Sequence, residues 1–309
     1  MGAHTPVLLK EAVQSLEIKP EGVYVDMTFG RGGHTKQIIR NLSYGTIVAF
    51  DLDDEAIEQG KNLIDLPGIA LYLRKSNFAD IKNQLELLKI RGVDGVLLDL
   101  GVSSPQFDDP NRGFSYRYDT ELDMRMDQSQ RLTAKEVVNG YEFNNLYRIF
   151  TNYGEEKFAK QIARAIEKQR LIAPIRTTGE LVDLVKSVLP KKVLLKDKHP
   201  AKQVFQALRI EVNGELDNLK KALEDSLMAL NPGGVMAIIT YHSLEDRIVK
   251  QFIKMHTVIV GDRLNFPTNR QQNRLEFENL YRKPILPSPA ELQDNPRSHS
   301  AKLRAIKRL

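Results

Sequence analysis

The fold is decided by the run Val23-Tyr24-Val25-Asp26-Met27, which is followed after Thr28 by Phe29-Gly30-Arg31-Gly32-Gly33-His34. The first run is rich in β-branched and aromatic residues and predicts a buried strand. The second is a glycine-rich turn, and the amphipathic segment Thr35–Leu42 predicts a helix directly after it. A strand, a glycine turn and a helix in this order are typical of the opening unit of a parallel α/β sheet.

The alternation of predicted strands and helices continues on both sides of a long segment that lacks it. Short apolar runs predict further buried strands, and Asp54–Leu63 predicts a helix capped by Asp53 or Asp54. The predicted strands cover residues 46–50, 69–73, 96–98 and 235–240, with a final edge strand at 300–306. Strands that alternate with helices predict an α/β fold with a parallel sheet and crossover helices.

The interruption predicts an inserted, mostly helical block. Residues 107–130 are polar and turn-rich, and no strand is predicted among the helical patterns that follow. These patterns cover residues 133–138, 143–150, 155–170, 179–189 and 200–230, the last with a weak point at Asn213-Gly214. We therefore expect a discontinuous domain of residues 1–106 and 213–309 and an inserted domain of residues 107–212. Residues 231–234 predict a turn, and residues 262–274 a polar loop.

Composition excludes several classes of protein. The 309 residues include no cysteine, which excludes disulfides, thiolate metal sites and cysteine nucleophiles. No apolar run approaches the roughly 20 residues of a membrane span, so we expect a soluble, cytoplasmic protein without a membrane partner. The net charge of +5 permits a polyanionic partner without requiring one.

The glycine turn suggests a nucleoside site. Gly32 and Gly33 would let the backbone approach a ligand closely, and Asp51, at the end of the next strand, could accept both ribose hydroxyls. The alternative is a plain strand-to-helix turn with a capping aspartate. Thr35 occupies the third glycine position of the dinucleotide fingerprint, which makes a dehydrogenase the weakest interpretation. Asp26 beside the turn suits a cationic ligand, which favours S-adenosylmethionine over a pyrophosphate.

A second candidate site follows the strand that ends at Asp99. Enzymes that methylate exocyclic base amines often carry an acidic or amide residue, two prolines and an aromatic residue at this strand end. Ser103, Ser104, Pro105 and Gln106 depart from that pattern, because serine replaces the acid and only one proline is present. The turn would position an amine for transfer, or it is a purely structural turn.

A third candidate, Tyr241–Arg247, follows the strand at residues 235–240. His242 could accept a proton or contact RNA, whereas the alternative is a helix start with Ser243 as N-cap. Because methylation at pyrimidine C5 normally uses a cysteine, a nitrogen or ribose oxygen acceptor is favoured. No cluster of histidines and acids has metal-ligand spacing, so no catalytic metal is predicted.

Basic residues suggest a nucleic-acid partner, although each run could also be a solvated surface. They form three groups, which are Lys191, Lys192, Lys196, Lys198 and Lys202; Arg297, Lys302, Arg304, Lys307 and Arg308; and Arg112, Arg117 and Arg125 beside Phe114, Tyr116 and Tyr118.

Nine motifs together resemble the family of 16S rRNA cytosine-N4 methyltransferases, nearly from end to end. They are His4–Glu11, Thr28–His34, Leu98–Gln106, Arg112–Ser115, Leu122–Asp127, Tyr153–Glu156, His199–Ala201, Phe205–Ala207 and His242–Arg247. The resemblance implies a Rossmann-like class I methyltransferase sheet with an inserted helical domain. It also implies S-adenosylmethionine as methyl donor and a decoding-region cytosine of 16S rRNA, in the small ribosomal subunit, as acceptor.

The resemblance also implies roles for individual residues. Gly32, Gly33 and His34 would line the methionine end of the donor, Asp51 would bind the ribose, Phe78 and Asp99 would flank the adenine, and Gln106 would lie near the donor. As a hypothesis separate from the resemblance, Asp99 or His242 would help remove the surplus proton of the amine, and the sequence does not choose between them.

Two other functions remain open at this point, a DNA amino-methyltransferase and a ribosome assembly factor without catalysis. The oligomeric state also remains open, with a homodimer as one option.

Overall fold

The computed structural model describes residues 6–63, 67–101, 104–195, 199–257 and 277–309, and it describes Ser104 and Pro105 by their backbone alone. The chain divides into two compact units. The first comprises Met1–Gly101 and Leu216–Leu309, and the second comprises Val102–Glu215. The domain boundaries at residues 106 and 213 stay a prediction.

The first unit is built on a mostly parallel sheet. Its strands in the described residues are β1 (Val23–Asp26), β2 (Gly45–Asp51), β3 (Ile69–Lys75), β4 (Val93–Asp99), β5 (Leu230–Thr240), β6 (Phe277–Asn279) and β7 (Lys302–Arg308). Their order across the sheet is β3-β2-β1-β4-β5-β7-β6. Strands β1 to β5 pair in parallel, and β7 pairs antiparallel with both β5 and β6.

The helices of the described chain are α1 (Leu9–Ser15), α2 (Gly33–Ile39), α3 (Asp54–Gly60), α4 (Ile81–Leu87), α5 (Ser104–Asp108), α6 (Ala134–Gly140), α7 (Phe143–Asn152), α8 (Ala159–Ile172), α9 (Thr178–Val188), α10 (Lys191–Leu194), α11 (Lys202–Asn213), α12 (Glu215–Ala229), α13 (Ser243–His256) and α14 (Pro289–Asp294). Short 3-10 turns cover Lys61–Leu63, Phe78–Asp80, Pro110–Arg112 and Pro296–Ser300. None of the described helices is long and apolar enough to cross a bilayer.

Both faces of the sheet are buried. In β4, Val96 and Leu98 pack in a core with α4, α12 and α13, while Leu97 points into the opposite core with α1 and α2. Successive strand residues point to opposite faces, so a strand covered on both sides needs a continuous apolar run. This explains the unbroken Val96-Leu97-Leu98 run and confirms the predicted α/β fold.

Two expectations about the end of the sheet are wrong. The last strand, β7, is not an edge strand, because it lies between β5 and β6. Residues 231–234 do not form a separate turn but belong to β5, where Leu230 pairs with Val93 and Val235 pairs with Gly95. The strand bulges there, and Gly233 adopts a φ of +78° that suits glycine. The predicted loop at residues 262–274 lies outside the described residues.

The second unit is helical. In its described residues there is no strand, only an antiparallel bridge between Glu121 and Thr177. Helices α6 to α9 and α11 share one apolar core. The predicted break at Asn213-Gly214 is confirmed, because Gly214 ends α11 with a φ of +60°. The helix predicted from residue 155 begins only at Ala159, since Glu155 has a φ of +51°, which an α-helix cannot contain.

Candidate active site

Three aspartates stand at the carboxyl edge of the sheet. Strands β2, β1 and β4 are neighbours and parallel, and they end at Asp51, Asp26 and Asp99 respectively. In sheets of this kind, ligands bind outside the carboxyl ends of the strands. An edge with this many carboxylates favours a cationic or hydroxyl-bearing ligand over a phosphate.

Asp51 is oriented by the glycine turn. Its Oδ2 accepts a hydrogen bond from the backbone N–H of Gly30 at 2.7 Å, and its Oδ1 accepts one from Asp53 at 2.9 Å. Burial raises the pKa of Asp51 to about 6. Each carboxylate oxygen retains a further lone pair, so the side chain could still accept two ligand hydroxyls.

The glycine turn is packed so closely that it has no room for side chains at Gly32 and Gly33. Gly32 has a φ of +70°, and a Cβ there would approach the Phe29 ring to 2.8 Å. A Cβ on Gly33 would collide with the Pro6 ring. Both positions therefore require glycine, and they let the start of α2 lie close to a ligand.

Asp26 belongs to the frame of the turn. It is fully buried, and burial raises its pKa. Its Oδ2 accepts a hydrogen bond from the Thr35 hydroxyl at 2.6 Å, and its Oδ1 accepts one from the backbone N–H of Thr28 at 3.1 Å. The threonine at the third fingerprint position thus ties α2 to β1.

His34 and Asp99 are brought together. His34 Nδ1 lies 3.7 Å from Asp99 Oδ2, and His34 is only 4% exposed. Among the described residues, buried His34 Nε2 has no hydrogen-bond partner. A buried polar atom without a partner at a glycine turn indicates that a ligand completes its hydrogen bonding.

Asp99 has a partner that the sequence interpretation missed. The hydroxyl of Tyr241 donates a hydrogen bond to Asp99 Oδ1 at 2.7 Å, and the backbone N–H of Asp99 donates one to the Thr28 hydroxyl at 2.7 Å. Burial raises the pKa of Asp99. The position of Tyr241 could have suggested this contact, because Tyr241 directly follows β5, the neighbour of β4.

The alternative of a helix start is confirmed by α13, but its N-cap is His242 and not Ser243. The extended backbone of His242 lets its Nδ1 accept a hydrogen bond from Glu245 N at 3.4 Å, and Ser243 is already helical. Glu245 Oε2 in turn accepts hydrogen bonds from the backbone N–H groups of Tyr241 and His242. His242 Nε2 lies 3.0 Å from Glu245 Oε1 but makes no hydrogen bond in the described residues. The catalytic role of His242 stays a prediction.

The remaining candidates lie in short helical turns. Phe78 begins the 3-10 turn after β3 and packs partly buried against the sheet. Ser103 is outside the described residues. Ser104, Pro105 and Gln106 belong to α5 of the second unit, so a helix replaces most of the predicted turn. Proline is tolerated in the first turn of a helix, where its missing N–H has no helical partner.

Many of the basic residues are engaged within their own unit. Arg112 donates hydrogen bonds to the carbonyls of Arg125 and Met126, and Arg125 forms a two-pronged ion pair with Asp123. At the C-terminus, the cations pair with acids or carbonyls; these contacts join Lys302 and Arg304 to Asp246, Lys307 to Glu17, and Arg308 to the Leu230 carbonyl. Lys196 and Lys198 lie outside the described residues.

Comparison with known proteins identifies the family. The model of the MraW methylase family matches residues 1–309. The chain belongs to the MraW methylase family. It is 47% identical, over 99% of its length and 97% of the relative's, to Ribosomal RNA small subunit methyltransferase H of Lactiplantibacillus plantarum. Among solved structures, the chain is distantly similar to an rRNA methylase from Streptococcus thermophilus, with 12% identity, a TM-score of 0.42 and coverage of 97% and 93% of the two chains.

The family confirms the sequence prediction of a methyltransferase that uses S-adenosylmethionine. The described residues fit this donor. Gly32 and Gly33 carry no side chain that could block a ligand, the buried His34 Nε2 lacks a partner among these residues, and the Asp51 and Asp99 carboxylates suit a ligand that carries an ammonium, a sulfonium and two ribose hydroxyls. When bound, S-adenosylmethionine supplies an electrophilic methyl group.

Proposed function

We propose that the chain methylates the exocyclic N4 of a cytosine in the decoding region of 16S rRNA, within the small ribosomal subunit. The match of the MraW methylase model to the whole chain carries this proposal. The relative from Lactiplantibacillus plantarum supports it, since the name of that protein specifies the small-subunit rRNA and the similarity covers nearly both chains. This substrate implies a cytoplasmic site of action.

The donor would lie along the carboxyl edge of the first unit. The residues of this unit that we assign to it are Gly32, Gly33, His34, Asp51, Phe78 and Asp99. The role of Gln106, which lies in α5 of the second unit, stays a prediction from the resemblance. Asp51 would accept the ribose hydroxyls, because hydrogen bonds from the backbone N–H groups of Gly30 and Asp53 already fix the orientation of its carboxylate. His34 Nε2 would find in the donor the partner that it lacks among the described residues.

The acceptor amine needs positioning and a proton acceptor. A cytosine amine is a poor nucleophile because its lone pair is delocalised into the ring, so alignment must supply much of the acceleration. We assign positioning to the Ser103–Gln106 segment that follows β4. The described candidates for the proton acceptor are Asp99, whose Oδ2 is not bonded by Tyr241, and His242. Because His242 Nδ1 accepts the hydrogen bond of the α13 cap, a neutral ring carries its proton on Nε2, and His242 would accept a proton only through Nδ1. The cytosine must leave its stack to reach such a site.

The second unit would hold flanking RNA through α8. Lys160, Arg164 and Lys168 recur every four residues, are exposed, and have no ion pair in the described chain. The Arg164 guanidinium lies 5.9 Å from the centre of the Phe143 ring, which stacks parallel to exposed Tyr147. Cations without acidic partners beside an exposed aromatic ring suit phosphates and unstacked bases.

A charge reversal tests this surface. K160E/K168E should raise the KM for small-subunit particles by about tenfold and reduce the salt dependence of binding, while the affinity for S-adenosylhomocysteine stays unchanged. The matched control is K82E/K89E, which makes the same charge change at exposed lysines of the first unit. Equal effects of the two double variants would contradict a specific role of α8.

The product of transfer tests the function itself. The protein is incubated with methyl-tritiated S-adenosylmethionine and small-subunit particles that lack the modification, and the RNA is digested to nucleosides. We expect the label in N4-methylcytosine. Label confined to ribose, or transfer to duplex DNA but not to the particles, would contradict the proposal and favour another acceptor. D51A should abolish transfer, whereas an assembly role without catalysis would survive this change.

A further inference from the structure

We propose that Tyr241 is a positioning residue of the donor site, whose hydroxyl fixes the Asp99 carboxylate and leaves Oδ2 for His34 and the donor. This inference rests on the proposed donor site. It assigns to the Tyr241–Arg247 segment a task other than proton transfer, because Glu245 of this segment holds the backbone of the tyrosine.

The contacts form a continuous chain. The Tyr241 hydroxyl lies 2.7 Å from Asp99 Oδ1, and Asp99 Oδ2 lies 3.7 Å from His34 Nδ1. Asp99 pairs with Ile239 across β4 and β5, so Tyr241 stands two residues further along the neighbouring strand. The tyrosine side chain is long enough to span this offset, which a shorter hydroxyl residue could not.

Tyr241 is itself held firmly from two sides. Its backbone N–H donates a hydrogen bond at 2.8 Å to Oε2 of Glu245, a residue that is 2% exposed and closes the capping box of α13. On the other side, Gly101 has a φ of +99°, and a Cβ there would touch the tyrosine ring at 3.4 Å. The capping box thus fixes Tyr241, and Tyr241 fixes Asp99.

The Tyr241 hydroxyl is one of several groups that act on the pKa of Asp99. Burial, Asp26 at the end of β1 and Glu245 on α13 raise the pKa of Asp99, whereas His34 on α2 and the hydrogen bond from Tyr241 lower it. Burial and Asp99 hold the pKa of Tyr241 well above 10, so the phenol stays a donor at neutral pH. Removing the hydroxyl therefore favours protonated Asp99 at a higher pH.

The test measures S-adenosylhomocysteine binding by calorimetry between pH 5.5 and 8.5 for the wild type and Y241F. We expect the acid limb of the Y241F profile to lie about one pH unit above that of the wild type, which is about a tenfold loss of affinity on that limb. On the alkaline plateau of both profiles, the loss should stay within about threefold, because there the ionisation of Asp99 no longer differs between the two proteins.

Y24F is the matched control. Tyr24 is a fully buried tyrosine of the same sheet, whose hydroxyl accepts one hydrogen bond, from the backbone N–H of Lys19 at 2.6 Å. Y24F should keep the wild-type pH profile. Coincident profiles of Y241F and the wild type, or an equal loss at every pH in Y241F and Y24F, would overturn the positioning role.

A double-mutant cycle gives a second measurement that does not depend on the acid limb. In a D99N background, Y241F should change the affinity for S-adenosylhomocysteine by less than about twofold, since the partner that it positions is already altered. Additive losses in D99N and Y241F would overturn the inference. If the wild type failed to bind S-adenosylhomocysteine, the proposed donor site would fail and the inference with it. Binding by the wild type with additive losses would remove only the role of Tyr241.

Discussion

Burial governs how the carboxylates at the edge of the sheet behave. Asp51 has a pKa of about 6, because its desolvation outweighs the two backbone hydrogen bonds that it accepts. Without a ligand, ionised Asp51 therefore lowers the stability of the folded protein. A donor whose ribose hydroxyls hydrogen-bond the carboxylate would recover part of this loss on binding.

The stability of D51N relative to the wild type should depend on pH. The pKa of Asp51 is raised by folding, so the folded wild type binds a proton more tightly than the unfolded chain does. Its free energy of unfolding should then fall, relative to D51N, by about 1–3 kcal/mol as pH rises from about 4 to 7. Urea unfolding across this range measures the difference. A difference that stays constant with pH would show that Asp51 is not perturbed.

At the scale of residues, the sequence predicts backbone requirements better than side-chain partners. Gly32, Gly33 and Asp51 can be placed, because a turn and a strand end are local features. The hydrogen bond between Tyr241 and Asp99 joins residues 142 positions apart, and no local pattern reveals it. The sequence predicts Arg112 and Arg125 as surface cations, because their partners are set by the folding of the loop and no local pattern shows them.

Helix α13 is tied to β7 by a shared carboxylate. Asp246 Oδ1 lies 2.8 Å from Arg304 Nε, and its Oδ2 lies 3.0 Å from Lys302 Nζ. These hydrogen bonds hold the pKa of Asp246 below its usual value, although burial opposes them. Such a carboxylate contributes stability above its unfolded pKa and loses it as pH falls through the lower folded pKa.

D246N should therefore reduce the free energy of unfolding by about 1–3 kcal/mol at pH 7. The reduction should shrink as pH falls below about 4, where the wild-type carboxylate also becomes protonated. Urea unfolding measures both values. D217N removes an exposed carboxylate paired with Lys220 and should stay within about 0.5 kcal/mol of the wild type. Equal losses in D246N and D217N would argue against the tie between α13 and β7.

Elements that depend on local periodicity are predicted well, and those that depend on pairing are not. Strands β1 to β4 follow from apolar runs, and the α11–α12 break follows from Gly214. The place of β7 inside the sheet depends on pairing with β6, a strand of only three residues, which is too short to predict from sequence. The late start of α8 depends on the left-handed backbone of Glu155. Glutamate rarely adopts this conformation, so the sequence does not predict it.

In the whole molecule, the chain leaves the first unit after Gly101 and enters it again at Leu216, in α12. The donor residues that the structure describes in detail, from Gly32 to Asp99, belong to the first unit. Donor binding should therefore stabilise the folded first unit by mass action.

A thermal shift with two nucleotides checks this expectation and the identity of the ligand. At about one hundred times its Kd, S-adenosylhomocysteine should add about 2.7 kcal/mol and raise the Tm by about 5–10 °C. NAD should leave the Tm unchanged, because the edge carries carboxylates and lacks the third fingerprint glycine. A shift with NAD and none with S-adenosylhomocysteine would favour a dinucleotide enzyme.

The account depends most on where the methyl donor sits. A crystal structure of the protein with S-adenosylhomocysteine measures this directly. We expect the ribose hydroxyls within hydrogen-bond distance of the Asp51 carboxylate and the ligand against the Gly32-Gly33 turn. Electron density for the ligand away from the carboxyl ends of β1, β2 and β4 would contradict the account.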